Sequence, residues 1–99
     1  MPSPLLTRRD PARPPRGVVL MMHGGAKTGL APVGRRSGSL WRTTAMRDVL
    51  EPRMLGEAMS LWLLQFSVRG WNAGVGAEPS PVTDARWALE RIAEELPGL

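Results

Sequence analysis

Two runs of consecutive apolar residues constrain the fold of this chain most strongly. The first is Val18–Met22, and the second, "MSLWLLQFSV" over 59–68, is continuously apolar in its first half. Strands without polar alternation are typical of parallel sheets that are covered on both faces. Both runs are far shorter than the roughly 20 residues that span a bilayer. The sequence therefore predicts two buried strands and no membrane contact.

The first predicted helix lies between the two strands. Ser39 is a candidate N-cap, Pro52 should end or kink the helix, and Gly56 marks its far end. Apolar residues recur about every fourth position and form one flank. This flank, which is expected to face the sheet, consists of Trp41, Ala45, Met46, Val49 and Leu50.

The second predicted helix follows the second strand. Ser80 is placed to cap it, Pro81 suits its first turn, and Asp84 lies near the positive end of its dipole. Its apolar stripe steps by three and four residues and consists of Val82, Ala85, Leu89, Ile92 and Leu96. Trp87 falls nearly opposite this stripe, which indicates a half-exposed side chain or one that further chain or a partner covers. The order strand, helix, strand, helix predicts an α/β fold with a parallel sheet.

Residues 1–16 are expected to form an extended or disordered basic lead-in to a domain over 17–99. They include five prolines and four arginines, and proline removes backbone donors and restricts its neighbours. The chain has a net charge of +4, and all but one of its 13 basic residues are arginine. That skew is typical of GC-rich coding sequence, so the lead-in favours a solvated arm over a nucleic-acid tether. The alternative is a small basic protein that uses this arm on nucleic acid or an acidic partner.

Few residues of this chain suit metal or redox chemistry. It has no cysteine and a single histidine, His23. The absence of cysteine is compatible with a cytoplasmic protein. The carboxylates lack ligand spacing, and Lys27 in "GAKTG" does not match a P-loop. We expect no metal and no cofactor.

Glycine-rich sequence follows each predicted strand, as "HGGAKTG" after the first and "RGWNAGVG" after the second. Open α/β sheets bind their ligands at the carboxyl ends of the strands. Glycine lets the backbone approach a ligand closely, and backbone N–H groups can stabilise the oxygen anion that forms during acyl transfer. The simpler interpretation of His23 is a structural histidine that bonds to its own loop, rather than a general base.

The succession strand, "HGG", helix, strand, "RGWN", helix resembles the first part of an α/β-hydrolase of the serine esterase or dienelactone-hydrolase-like kind. "VVLMMHGG" is similar to the strand that ends in His-Gly-x, and "SPVTDARWALERI" to the helix that precedes the nucleophile strand. The resemblance covers about Gly17–Leu96 and implies a small acyl or ester substrate. It implies an oxyanion-hole loop of His23, Gly24, Gly25 and Ala26, in which the last two donate their N–H groups. A second loop would line the substrate pocket or form a Trp-anchored turn, and consists of Arg69, Gly70, Trp71 and Asn72.

The family's catalytic residues fall beyond this resemblance. Its nucleophile lies in a Gly-x-Ser-x-Gly turn after the next strand, and the acid and the base histidine follow later. No serine of this chain lies in that pentapeptide, so no catalytic residue is assigned. The sequence therefore predicts a truncated amino-terminal fragment that is inactive as an esterase by itself. Two parallel strands with unpaired outer edges also predict self-association.

Overall fold

The computed structural model describes residues 3–23, 38–67 and 80–99 of the chain. Its elements in chain order are β1 (Leu5–Arg9), β2 (Gly17–Met21), α1 (Gly38–Gly56), β3 (Met59–Gln65) and α2 (Ser80–Glu95). The strands form one sheet in the order β1-β3-β2, with β2 parallel and β1 antiparallel to β3. The chain thus has a small mixed α/β fold.

The parallel pair β2–β3 confirms the two predicted strands. Gly17 lies opposite Met59, and Met21 lies opposite Leu63. The second strand ends at Gln65, earlier than predicted, and Val68 lies outside the described residues. β3 is the central strand and supplies most of the buried apolar side chains: Leu61, Trp62, Leu63 and Leu64, followed by Phe66 just beyond its end.

Strand β1 lies inside the lead-in, where the sequence predicted none. It pairs with β3 so that Leu6 is opposite Leu64 and Arg8 is opposite Trp62. Pro4 precedes the strand, and an edge position tolerates proline because only one side of the strand is paired. The sheet is therefore mixed, and the expectation of a purely parallel sheet is wrong on this point.

The two helices cover opposite faces of the sheet. From α1, the Glu51 carboxylate forms an ion pair with Arg9, with 2.8 Å between Oε1 and Nε. From α2, Glu95 pairs with Arg8 at 3.4 Å. Because neighbouring side chains of a strand point to opposite faces, these pairs place α1 and α2 on opposite sides. This layering explains how β3 is covered on both faces.

Helix α1 turns a different face to the sheet from the one predicted. Leu40 is buried, and the Arg47 side chain is only 12% exposed and donates to Thr7 Oγ1 at 3.3 Å. Most of the predicted apolar flank is exposed instead, namely Trp41, Ala45, Met46 and Val49. The prediction was wrong because the inner face of α1 combines Leu40, which packs in the core, with polar side chains that bind β1.

The carboxyl end of α1 is held by arginines of the lead-in. The helix starts at Gly38 and continues through Pro52 to Gly56, so proline does not end it. Arg13 donates to the Gly56 carbonyl at 3.2 Å, and Arg16 Nε donates to the Glu57 carbonyl at 2.7 Å. Cationic side chains suit a helix carboxyl end, whose last carbonyls have no partner within the helix.

Helix α2 begins at the predicted Ser80 and packs on the core through Ala88, which is fully buried. Trp87 is half-buried and packs against the core cluster that contains Ala88, Leu63 and Leu64. Two members of the predicted stripe are exposed, Val82 by 46% and Leu89 by 60%. The other three members, Ala85, Ile92 and Leu96, are half-buried, so the stripe lies partly against the core and is partly exposed. Within the described ranges, no helix is both long enough and apolar enough to cross a membrane.

Candidate functional site

The carboxyl ends of β2 and β3 meet at one edge of the sheet, because the two strands run parallel. His23 follows β2 at this edge, and Phe66 and Ser67 follow β3. Asp84, the fifth residue of α2, lies at the same place and bonds to Ser67. These four residues are defined here as the carboxyl-edge cluster.

His23 joins the ends of the two parallel strands. It is 4% exposed, and its Nε2 accepts a hydrogen bond from the Phe66 N–H at 3.1 Å. The imidazole also meets the Phe66 ring edge-on, with the centroids 5.0 Å apart. The imidazole uses the lone pair of Nε2 in this bond. Through this bond, His23 holds the backbone at the end of β3.

Asp84 holds the backbone that follows β3. It is 5% exposed, and its Oδ2 accepts from both the N–H and the Oγ of Ser67 at 2.8 Å. Hydrogen bonds to an ionised carboxylate are stronger than those between neutral groups. From the sequence, Asp84 was predicted to act only at the helix dipole, and its two bonds to Ser67 add a second role.

A serine, a histidine and an aspartate therefore meet in the carboxyl-edge cluster, but not as a catalytic relay. A relay needs the hydroxyl to donate to the imidazole, and the imidazole to be oriented by the carboxylate. Here the Ser67 hydroxyl donates directly to Asp84, while His23 Nε2 accepts from a backbone N–H. The geometry fits a rigid support at the strand ends.

The remaining predicted site residues belong to two loops that border this cluster in sequence. Gly24, Gly25 and Ala26 lie outside the described residues, and so do Arg69, Gly70, Trp71 and Asn72. Of the predicted oxyanion-hole loop, the structure describes only His23. The assignments for the other positions stay predictions.

A second polar cluster lies at the opposite end of β3, and sequence reasoning missed it. Asp10 Oδ1 accepts from Ser60 Oγ at 2.6 Å and from Trp62 Nε1 at 3.0 Å. Its Oδ2 accepts from Arg8 Nε at 2.7 Å, and the Arg8 guanidinium stacks 4.2 Å from the Trp62 ring centroid. The sequence placed these residues in separate segments, so only the pairing of β1 with β3 brings them together.

The electrostatics of this second cluster favour the ionised forms. Burial acts to raise the pKa of the Asp10 carboxyl, but the hydrogen bonds from Arg8, Ser60 and Trp62 outweigh it and hold the pKa below its ordinary value. The hydrogen bond to Asp10 in turn raises the pKa of Arg8. The cluster therefore links β1 to β3 through a charged pair.

Helix α2 is flanked by several depressions, of which two border the sheet on opposite sides of the helix. A cleft of about 270 Å³ lies on the β1 side, between Arg8 and Trp87. A groove of about 550 Å³ lies on the β2 side; it is lined by Met22 and Phe66 at the strand ends and by Val82, Ala85, Arg86 and Leu89 on α2. The second depression is almost entirely apolar and is called the α2 groove below.

Comparisons with known proteins give this chain no relative. No family model, no curated protein and no solved structure matches it. Among the described residues, no group of three histidines or carboxylates is arranged to hold a metal ion. Functional inference therefore depends on the residues and on the geometry of the carboxyl edge.

Proposed function

We propose that this chain is the amino-terminal part of an α/β-hydrolase-like domain whose parent reaction is the hydrolysis of an ester or related acyl bond. One observation carries the proposal: the parallel pair β2–β3, with His23 fixed between its carboxyl ends. The glycine-rich sequence continues directly from His23. Open α/β sheets bind ligands at this edge, and the loop after such a strand supplies oxyanion-hole donors in the hydrolase family.

The proposed role of the loop is to donate hydrogen bonds to the developing oxygen anion. The N–H groups of Gly25 and Ala26 are the donors, and loss of one such donor costs about 3–4 kcal/mol in the transition state. His23 supports the turn, because its bond to the Phe66 N–H ties the start of the loop to the neighbouring strand. A buried histidine already engaged in this way suits a positioning role better than proton transfer.

The chain by itself is proposed to lack esterase activity. The described serines with assigned partners are already engaged, since Ser60 donates to Asp10 and Ser67 donates to Asp84. Neither hydroxyl has a histidine as its acceptor in these bonds. A nucleophile and its base would have to come from chain beyond the resemblance, in a Gly-x-Ser-x-Gly turn.

The coding DNA downstream of codon 99 gives the first test. The proposal expects a Gly-x-Ser-x-Gly sequence there, in the same frame or a shifted one. Co-expression of this chain with the encoded downstream segment should then give hydrolysis of p-nitrophenyl acetate that neither piece shows alone. A downstream sequence without this pentapeptide would overturn the proposal.

A matched pair of substitutions tests the oxyanion hole in the reassembled enzyme. Ala26→Pro removes the N–H, and should lower kcat by roughly 10²–10³. Ala26→Gly keeps the N–H at the same position, and should change kcat far less. Equal losses in the two variants would refute the assignment of the donor.

The alternative function, a basic arm that binds nucleic acid or an acidic partner, has less support. Each of the four arginines of the lead-in has an internal partner: Asp10 and Glu95 for Arg8, Glu51 for Arg9, the Gly56 carbonyl for Arg13, and Glu57 for Arg16. Deleting residues 1–16 would also remove β1, so the double substitution Arg13→Gln and Arg16→Gln is the sharper test. Salt-sensitive retention of RNA or DNA that this variant loses would favour the alternative.

A further inference from the structure

We propose that helix α1 docks this chain on an anionic lipid surface through its outer face. The outer face is defined by the exposed side chains Trp41, Ala45, Met46, Val49 and Pro52. Trp41, Ala45 and Val49 follow one another at intervals of four residues, so they lie along one side of the helix. This docking goes beyond the proposed hydrolase function and does not depend on it.

Helix α1 is inverted relative to an ordinary surface helix, which turns its polar side chains to the solvent. Its sheet-facing side includes Arg47, whose side chain is only 12% exposed, and Glu51, which forms an ion pair with β1. Its outer face exposes Trp41 by 67%, Met46 by 58% and Val49 by 78%. Single exposed apolar residues are normal, but several large ones together on one face indicate a contact surface.

The charges on α1 favour an anionic partner. Its two acidic residues, Asp48 and Glu51, each form an ion pair with an arginine. Arg42 and Arg53 are exposed, and neither has an acidic partner within the described ranges. Arg42 lies seven residues before Val49 and Arg53 lies four residues after it, so both guanidinium groups border the outer face. The outer face therefore combines apolar side chains with two uncompensated positive charges.

The apolar side chains favour lipid over nucleic acid as the partner. Nucleic acid would engage the arginines and the Trp41 ring, but its phosphates and bases offer little to Met46 and Val49. Helices that lie in a lipid interface use this combination, with tryptophan and aliphatic side chains inserted and arginines at the headgroups. The sequence prediction of no membrane contact depended on the length of the apolar runs, which excludes a spanning helix and not an interfacial one.

Further chain of a hydrolase-like domain would leave the outer face of α1 open. Strands that continue the sheet lie beside it, and their crossover helices pack on the sheet in the same layer as α1. The outer face points away from the sheet, because Leu40 and Arg47 on the other side of the helix contact the core and β1. The docking surface is therefore compatible with a longer domain.

Flotation of the full chain with lipid vesicles tests the proposal. Vesicles of phosphatidylcholine with about one-third phosphatidylglycerol should bind the chain at least about tenfold more tightly than phosphatidylcholine alone, because each arginine near an anionic surface strengthens binding about fivefold. High salt should reverse this preference. The fluorescence of Trp41 should shift to shorter wavelength on binding, and Trp41→Phe should remove that shift.

A matched pair of glutamate substitutions locates the surface. Val49→Glu places a negative charge in the centre of the outer face and should weaken vesicle binding by about tenfold or more. Val82→Glu is the control, because Val82 is exposed in the α2 groove on the opposite side of the sheet, and this variant should bind like the parent chain. The double substitution Arg42→Gln and Arg53→Gln should abolish the preference for phosphatidylglycerol. The urea midpoint of each variant separates lost binding from lost folding.

The proposal would be overturned by a chain that binds neither kind of vesicle or binds both equally. Equal losses in the two glutamate variants would also overturn it, as would an unchanged lipid preference in the double arginine variant. Salt-sensitive binding of RNA in place of vesicles would assign the arginines to the other class of partner. The readouts are flotation and fluorescence, so a negative result leaves the proposed hydrolase function untouched.

Discussion

The bond between Asp84 and Ser67 provides a sharp test of the carboxyl-edge cluster. The buried Oδ2 of Asp84 accepts two hydrogen bonds from Ser67, each 2.8 Å long. A hydrogen bond to a charged group contributes about 1.5–3 kcal/mol, and removal of the buried charge itself returns part of that sum. We therefore expect Asp84→Ala to lower the free energy of unfolding by about 2–4 kcal/mol.

Asp84→Asn should cost less than Asp84→Ala. The amide oxygen can replace Oδ2 as the acceptor for both donors, although the bonds then become neutral ones. We expect a loss of about 1–2 kcal/mol for this variant. The difference in free energy of unfolding between Asp84→Ala and Asp84→Asn gives the contribution of the acceptor oxygen separately from that of the charge.

Urea unfolding at a fixed protein concentration measures both changes. With an m-value of about 1.5 kcal/mol/M, Asp84→Ala should lower the midpoint by roughly 1.3–2.7 M. Glu90→Ala is the control, because Glu90 is exposed on the same helix, and its midpoint should hardly move. Equal midpoints for the alanine and asparagine variants, or a change as small as that of the control, would refute the reasoning.

Two further predictions concern the core and the charged pair on β1. Leu40→Ala should lower the free energy of unfolding by about 2–5 kcal/mol, whereas Val49→Ala should lower it by less than about 0.5 kcal/mol. Urea unfolding that gave the reverse order would support the apolar flank that the sequence predicted for α1. Because the pKa of Asp10 is lowered in the folded state, its stabilising contribution is full above the unfolded pKa and is lost as the pH falls through the folded pKa. Asp10→Asn should therefore flatten the loss of stability below about pH 4, measured as the urea midpoint against pH, and an unchanged slope would contradict the assignment.

The parts of the fold that depend on local pattern were predictable. Uninterrupted apolar residues gave β2 and most of β3, and the Ser80-Pro81 start gave α2 at the residue where the helix begins. Strand β1 was not predictable from local pattern, because its residues lie between prolines. They become a strand by pairing with β3, more than 50 positions away. Long-range pairing overrides local propensity in this segment.

The missing β1 also explains why the inner face of α1 was predicted wrongly. Arg47 and Glu51 of α1 face inward because Thr7 and Arg9 of β1 are there to bind them. The positions of the apolar residues alone predicted that the opposite flank of α1 faces the sheet. Trp87 of α2 is half-buried, in agreement with the half-exposed side chain that the sequence indicated, and it lines a cleft together with residues 4–6 of the lead-in.

The candidate site was predictable in place but not in its bonds. The glycine-rich sequence after β2 indicated the carboxyl edge, and His23 does lie there. Its acceptor role toward Phe66 depends on the parallel register of β2 and β3, which brings the strand ends together. The bond between Asp84 and Ser67 depends instead on how α2 packs beside the end of β3. Neither pair is close enough in sequence to be recognised without the tertiary fold.

A cysteine cross-link tests the parallel pairing of β2 and β3, on which the account depends. The chain contains no cysteine, so any disulfide reports only the introduced pair. In the parallel pair, Val19 lies opposite Leu61 and Met21 lies opposite Leu63. If the strands were antiparallel and Val19 still lay opposite Leu61, Met21 would lie opposite Met59 instead. We expect Met21→Cys with Leu63→Cys to oxidise readily. Met21→Cys with Met59→Cys should stay reduced, because four residues along a strand separate the two by about 13 Å. The opposite result, measured by mass spectrometry of the unreduced digest, would contradict both the sheet and the proposed hydrolase ancestry.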